Sequence, residues 1–163
     1  MRPWMRRMLG CAFGISSAAT PAGGAWAQQV QIFSLSDAQF GTISSISAPQ
    51  SLSQTLCIYS PVLRGYSIKA TGSSSGGPFT ISNGSTPMPY TVQWAFSGGQ
   101  TTGSALTSGV SLSGNPGLSL LCGGLFGLLA SNASLIITLP ANSLAAAQAG
   151  TYTGTLSLMV SPN

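Results

Sequence analysis

The sequence predicts an all-β domain, a sandwich or barrel of short strands, and three features carry that prediction. Apolar residues alternate with serine and threonine at period two in several runs. Clusters of glycine, proline, asparagine and serine separate those runs at short intervals. Charged side chains are only 4% of the 163 residues, so the solvent faces of the strands must be made by hydroxyls and amides.

The amino-terminal stretch stands apart from this pattern. Arg2, Arg6 and Arg7 precede an apolar, small-residue run from Met8 to Ala19, and Pro21, Gly23 and Gly24 then break any helix. Ala25-Trp26-Ala27 places alanine at both specificity positions of a signal-peptidase site. Residues 1–27 are therefore expected to be an export signal, leaving a single β domain over residues 28–163. That domain keeps Arg64, Lys69 and Asp37, a net charge of about +1. Such a chain lacks the cations needed to neutralise a phosphate backbone, which argues against a nucleic-acid role. The most apolar later stretch, Leu118 to Ala130, is broken by cysteine and glycine, so no membrane span is expected after the signal.

Within the domain, Gln31–Leu35, Leu52–Tyr59, Phe79–Ser82 and Val110–Leu112 are weaker strand candidates. Stronger ones follow from strict alternation. Tyr66, Ile68 and Ala70 share one face of a strand over Gly65–Ala70. Tyr90, Val92, Trp94 and Phe96 form a second set, and Leu135, Ile137 and Leu139 a third. The last set is Tyr152, Leu156, Leu158 and Val160, against Thr151, Thr153, Thr155, Ser157 and Met159 on the other face. These inward sets are the expected core. Gly72–Pro78, Asn83-Gly84 with Pro87, Gly98-Gly99 and Gly114–Gly117 supply the turns. Ser143–Gln148 is long enough for a helical turn or two, too little to alter the class.

Cys57 and Cys122 remain once the export segment, with Cys11, is set aside. An even pair in an exported chain reads as one disulfide, here closing a loop of about 65 residues, with two free thiols as the alternative.

The catalytic inventory is nearly empty. There is no histidine, and a single acidic residue, Asp37. A Ser-His-Asp arrangement lacks its base, paired-carboxylate hydrolysis lacks its second carboxylate, and ordinary metal sites lack ligands. No glycine cluster carries the lysine and hydroxyl of a P-loop. The expectation is a non-enzymatic protein without metal or cofactor. Asp37 reads as a turn carboxylate, Arg64 and Lys69 as solvated charges, and Trp94 as core rather than a sugar platform.

Three stretches resemble the spore-coat-U-like pilin subunits of archaic chaperone–usher pili. They are Phe40-Gly41-Thr42 after the first strand, the strand holding Cys57, and the ending from Ala149 to Ser161. The resemblance runs from about Phe33 to Val160. It implies an incomplete immunoglobulin-like sandwich that needs a donated strand. A periplasmic chaperone fills the groove first, an outer-membrane usher presides over exchange, and another pilin subunit, or a second copy, then supplies the strand. The carboxyl-terminal strand Thr151–Val160, with Thr151, Tyr152, Leu156, Leu158 and Val160, is the implied acceptor edge. Two departures stand out. Gln31 occupies the position near which the family carries an early cysteine, so Cys57 is left to pair with Cys122. Only residues 28–32 precede Phe33 after cleavage, too few for an ordinary donor strand, which suits a tip or terminal subunit. The expected function is thus a structural subunit of a surface pilus, exported through the periplasm to the cell surface. The competing expectations are a carbohydrate- or surface-binding module using loops with Tyr59, Arg64 or Phe126, and a self-contained envelope or extracellular-layer protein.

Overall fold

The computed structural model describes residues 29–61, 65–73, 77–114, 116, 122 and 131–163. The expected export segment 1–27, the loop residues Arg64 and Phe126, and the apolar stretch 118–130 apart from Cys122 lie outside the described residues.

The described residues form ten short strands and one helix: β1 Gln31–Phe33, β2 Gln50–Tyr59, β3 Tyr66–Thr71, β4 Thr80–Ser82, β5 Pro87–Pro89, β6 Thr91–Ala95, β7 Ser104–Ala105, β8 Ser111–Gly114, β9 Ala133–Leu139, α1 Ala141–Ala146 and β10 Ser157–Pro162. One sheet runs β1-β2-β9-β6-β7 and the second β10-β3-β8, while β4 and β5 make a separate hairpin. Every pairing is antiparallel. The order β1-β2-β9-β6 opposite β10-β3 is that of strands A, B, E and D opposite F and C in an immunoglobulin-like sandwich. The position of strand G, beside β10, has no occupant among the described residues.

Alternation builds the core as the period-two sets require. Leu56, Ile58, Tyr66, Ile68, Val92, Trp94, Leu135, Ile137 and Leu139 are buried between the sheets. The Tyr66 ring meets Trp94 edge-on at 6.4 Å and Phe96 at 5.3 Å, joining the two sheets through aromatic contacts. Tyr90 is buried just before β6 and stacks on Phe79 at 5.7 Å. Phe96 falls one residue past β6 and is partly buried, its ring lying where a side chain at Gly114 of β8 would stand. That glycine is required by the close approach of the ring.

The five-stranded sheet is also covered on its outer side. Ser134 of β9 is fully buried there, donating to the Ser97 carbonyl and accepting from the Gln100 N–H, so the loop after β6 folds back over the sheet. Asn132 extends β9 with its side chain. Its carboxamide accepts from the Ile58 N–H at 2.7 Å and donates to the Ile58 carbonyl at 2.8 Å, imitating a ladder pair.

Several boundaries differ from the alternation reading. The last strand is Ser157–Pro162, not Thr151–Val160. The Tyr152 hydroxyl bonds back to both the N–H and the carbonyl of Gln148, making a corner there. Thr153 exchanges two backbone bonds with Ser82, and Thr155 donates to Ser73 Oγ. These contacts bend the approach and delay the ladder. Pro87 belongs to β5 rather than a turn. The Tyr90 N–H bonds the Phe79 carbonyl, so Pro87 and Pro89 fall at positions whose nitrogens face away from β4. The helix is Ala141–Ala146, starting after Pro140 and ending before Gln148. Val110 lies outside β8 and is 57% exposed.

Candidate functional site

The pairing of β10 with β3 defines the site. Leu158 lies opposite Ala70 and Val160 opposite Ile68. All four side chains face the core, yet Ala70 and Ile68 are 0% exposed while Leu158 and Val160 are only partly buried. Leu156 and Tyr152 are likewise partly buried, and Thr151 is exposed. Along β10 the apolar side chains aim inward but are only partly covered, unlike their partners on β3.

The backbone tells the same story. The Asn163 N–H donates to the Gly65 carbonyl, which fixes the phase of the ladder. With that register, residues 159, 161 and 163 turn their backbone groups toward β3, and Leu158, Val160 and Pro162 turn theirs outward. No strand among the described residues takes those outward groups. The edge therefore offers two complete donor–acceptor residues, Leu158 and Val160, and ends at a proline that has no N–H.

Across the sandwich, the facing edge is β1. Phe96, next to β6, packs at Gly114 of β8, so β8 covers the β6 side of the large sheet and β10 lies toward the β1–β2 side. Val30 before β1, Ile32 within it, and Phe40 and Ile43 after it are partly buried against the core like the β10 residues. Half-covered apolar groups from both sheets thus flank the position beside β10 that no described strand takes. Two other described edges differ. β7 is two residues long, and β5 points two proline nitrogens outward, both devices that discourage strand addition. β10 has six residues and a single proline at its end.

The Cys57–Cys122 disulfide forms, with Cα atoms 5.6 Å apart. Cys57 shares parity with Ser53 and Thr55 and so faces away from the core, where it ties Cys122 to the outside of β2. Both cysteines are buried. Cys57 is also the partner of Phe33 in the β1–β2 ladder, so the bond sits on the outer side of that pair.

Charge plays little part. Asp37 is exposed in the segment after β1, and Lys69 lies on the outer face of β3 between Met159 and Ser111. Tyr59, at the end of β2, is partly buried opposite Gln31. Trp94 is wholly enclosed and presents no face to a sugar. Burial pushes the Tyr66 phenol up to about 12, and the nearby Trp94 indole N–H opposes the shift. That N–H does not reach hydrogen-bond geometry, and both polar atoms stay unpaired. Among the described residues no cluster of three histidine, cysteine or acidic side chains could hold a metal ion. No described helix is long and apolar enough to cross a membrane.

Sequence reasoning found β10 but missed the features that single out its edge. The prolines of β5 and the corner at Tyr152 act through pairing partners distant in sequence, which alternation does not report.

No family model matches the chain, and no curated protein matches it. Among solved structures it is similar to a chain from a chaperone–tip adhesin complex described as vital for CFA/I fimbriae biogenesis. The TM-score is 0.54 at 15% identity over 84% of this chain. The chain spans 42% of that neighbour's length, less than half. At this identity the likeness speaks for architecture, and the architecture it gives is an antiparallel β fold of the kind found in fimbrial proteins.

Proposed function

We propose that this protein is an exported structural subunit of a surface fimbria, assembled when an extended segment of another chain adds beside β10. The observation that carries the reading is the pair Leu158 and Val160. Their side chains face the core half-covered, and their backbone groups face an edge without a described partner. An incoming strand would satisfy those groups, and its alternate side chains would cover the apolar residues of β1 and β10 together. A periplasmic chaperone would hold the edge during export, an outer-membrane usher would oversee exchange, and a second subunit or another copy would replace the chaperone. The spore-coat-U-like pilins offer the model for that sequence of events. Chemistry is not part of this role, since neither the sequence nor the β10 edge offers an acid–base pair.

The test is binding of uncharged, alternating apolar peptides to the purified chain, followed by amide exchange. We expect protection at Leu158 and Val160, and loss of binding in Val160→Pro, which removes an outward N–H while leaving the β3-facing bonds of 159 and 161. Protection of both amides in the chain alone, unchanged by peptide, would mean that the protein's own residues fill the position.

A further inference from the structure

We propose that Asn83 is a self-modification site, the asparagine at which the folded chain deamidates. It lies in the turn Asn83–Thr86 that joins β4 to β5. Its Oδ1 accepts from the Ser85 N–H at 3.1 Å and the Thr86 N–H at 2.9 Å. Two donors on one carbonyl oxygen polarise its carbon, as an oxyanion hole does. The next residue is Gly84, exposed, with φ +95° and open space where a side chain would stand, so no side chain crowds the approach of its nitrogen to the Asn83 carboxamide. The Gly84 N–H points at Ser82 Oγ, 3.0 Å away, rather than into a strand ladder.

The reaction balances without an enzyme. The Gly84 nitrogen loses its proton to solvent and bonds to Asn83 Cγ. The Cγ–Nδ2 bond breaks, and ammonia leaves with a proton from water. Hydrolysis of the resulting five-membered imide by one water gives aspartate or, by opening at the other carbonyl, isoaspartate. No oxidation or reduction occurs.

The remaining asparagines lack this arrangement. Asn132 is held on both backbone groups of Ile58, and its successor Ala133 is buried in β9. Asn142 lies in α1 before the buried Ser143. The Asn163 carboxamide is engaged by the Gly114 carbonyl and the Ser67 hydroxyl. Asn115 precedes Pro116, which has no N–H to react.

The turn is coupled to the last strand. Asn83 Nδ2 donates to the Tyr152 hydroxyl at 3.4 Å, and neighbouring Ser82 exchanges two backbone bonds with Thr153. Isoaspartate lengthens the turn backbone and removes the Nδ2 donor, so the anchor ahead of β10 loosens as the protein ages. This inference does not depend on the fimbrial reading.

The experiment ages the full chain in mildly alkaline buffer, folded and in urea, with peptide mass mapping of each asparagine. In the folded chain we expect a gain of about one mass unit at Asn83 alone, with isoaspartate detected there, and amide exchange at Thr153 speeding up in proportion. Gly84→Ala should slow the conversion in urea as well as in the fold, so it reads the chemistry even if the strained turn unfolds. Asn83 staying an amide in the folded chain while it converts in urea would overturn the proposal, as would equal conversion at Asn132 or Asn142.

Discussion

β9 and β10 are both apolar strands of the same sandwich, and they meet opposite fates. β9 has β2 on one side and β6 on the other, and its inward residues Leu135 and Leu139 are 2% exposed. Among the described strands β10 has β3 alone, and Leu156, Leu158 and Val160 stay half-covered although they point the same way. Side-chain chemistry hardly differs between the two. What differs is the number of neighbours, because a strand at an edge is roofed from one side only and leaves alternate backbone groups without partners. A closed interior and a half-covered edge are therefore made from the same kinds of residue, sorted by position in the sheet.

The largest effect that would sharpen the contrast is at Cys57 and Cys122. Opening their 65-residue loop by Cys57→Ala/Cys122→Ala should lower unfolding free energy by about 4 kcal/mol, read by denaturant titration. A loss confined to the β1 side in amide exchange would tie the bond to the β1–β2 pair; a negligible loss would sever that link.

Truncation separates the two strands directly. Leu135→Ala should cost about 3 kcal/mol, the usual result of emptying a closed core, while Leu158→Ala costs the isolated chain about 1 kcal/mol. With a strand-adding peptide bound, the Leu158→Ala penalty should rise toward that of Leu135→Ala. Equal costs in the free chain would mean that β10 is already roofed.

The inner strand β3 can be probed through Tyr66. Its folded-state phenol is raised to about 12 from 10.0, so the folded state holds the proton more tightly than the unfolded chain. That contribution is complete below pH 10 and is lost as pH climbs to about 12, a fall of about 3 kcal/mol. Tyr66→Phe should remove most of this alkaline slope and, by deleting a buried hydroxyl without a partner, add about 1 kcal/mol at neutral pH. A steeper alkaline loss in the variant would refute the burial argument.

The smallest effect belongs to the outer face of β10. Met159 is 64% exposed, so Met159→Ser should change stability by less than about 0.5 kcal/mol and leave peptide binding intact. Loss of binding would move the contact surface from the edge of β10 to its face.

Alternation alone was enough to mark Trp94, Ile68, Leu135 and the inward parity of Leu158, because side-chain direction in a strand is a local property of period two. The Cys57–Cys122 bond was legible from the count of cysteines left after the proposed export segment. The start of β10 was not, because it depends on the Tyr152 hydroxyl reaching Gln148 and on Thr153 finding Ser82, 71 positions earlier. β5 was hidden because proline normally argues against a strand, and only its place at an edge makes Pro87 and Pro89 acceptable.

By itself, the sequence determined the β class, the identity of the inward faces and the poverty of catalytic groups, all of which follow from residue type and spacing. Only the tertiary structure decided which strand would be an edge. That choice rests on pairings between distant segments, and the exposure of Leu158 and Val160 follows from it rather than from anything in their own neighbourhood of the chain.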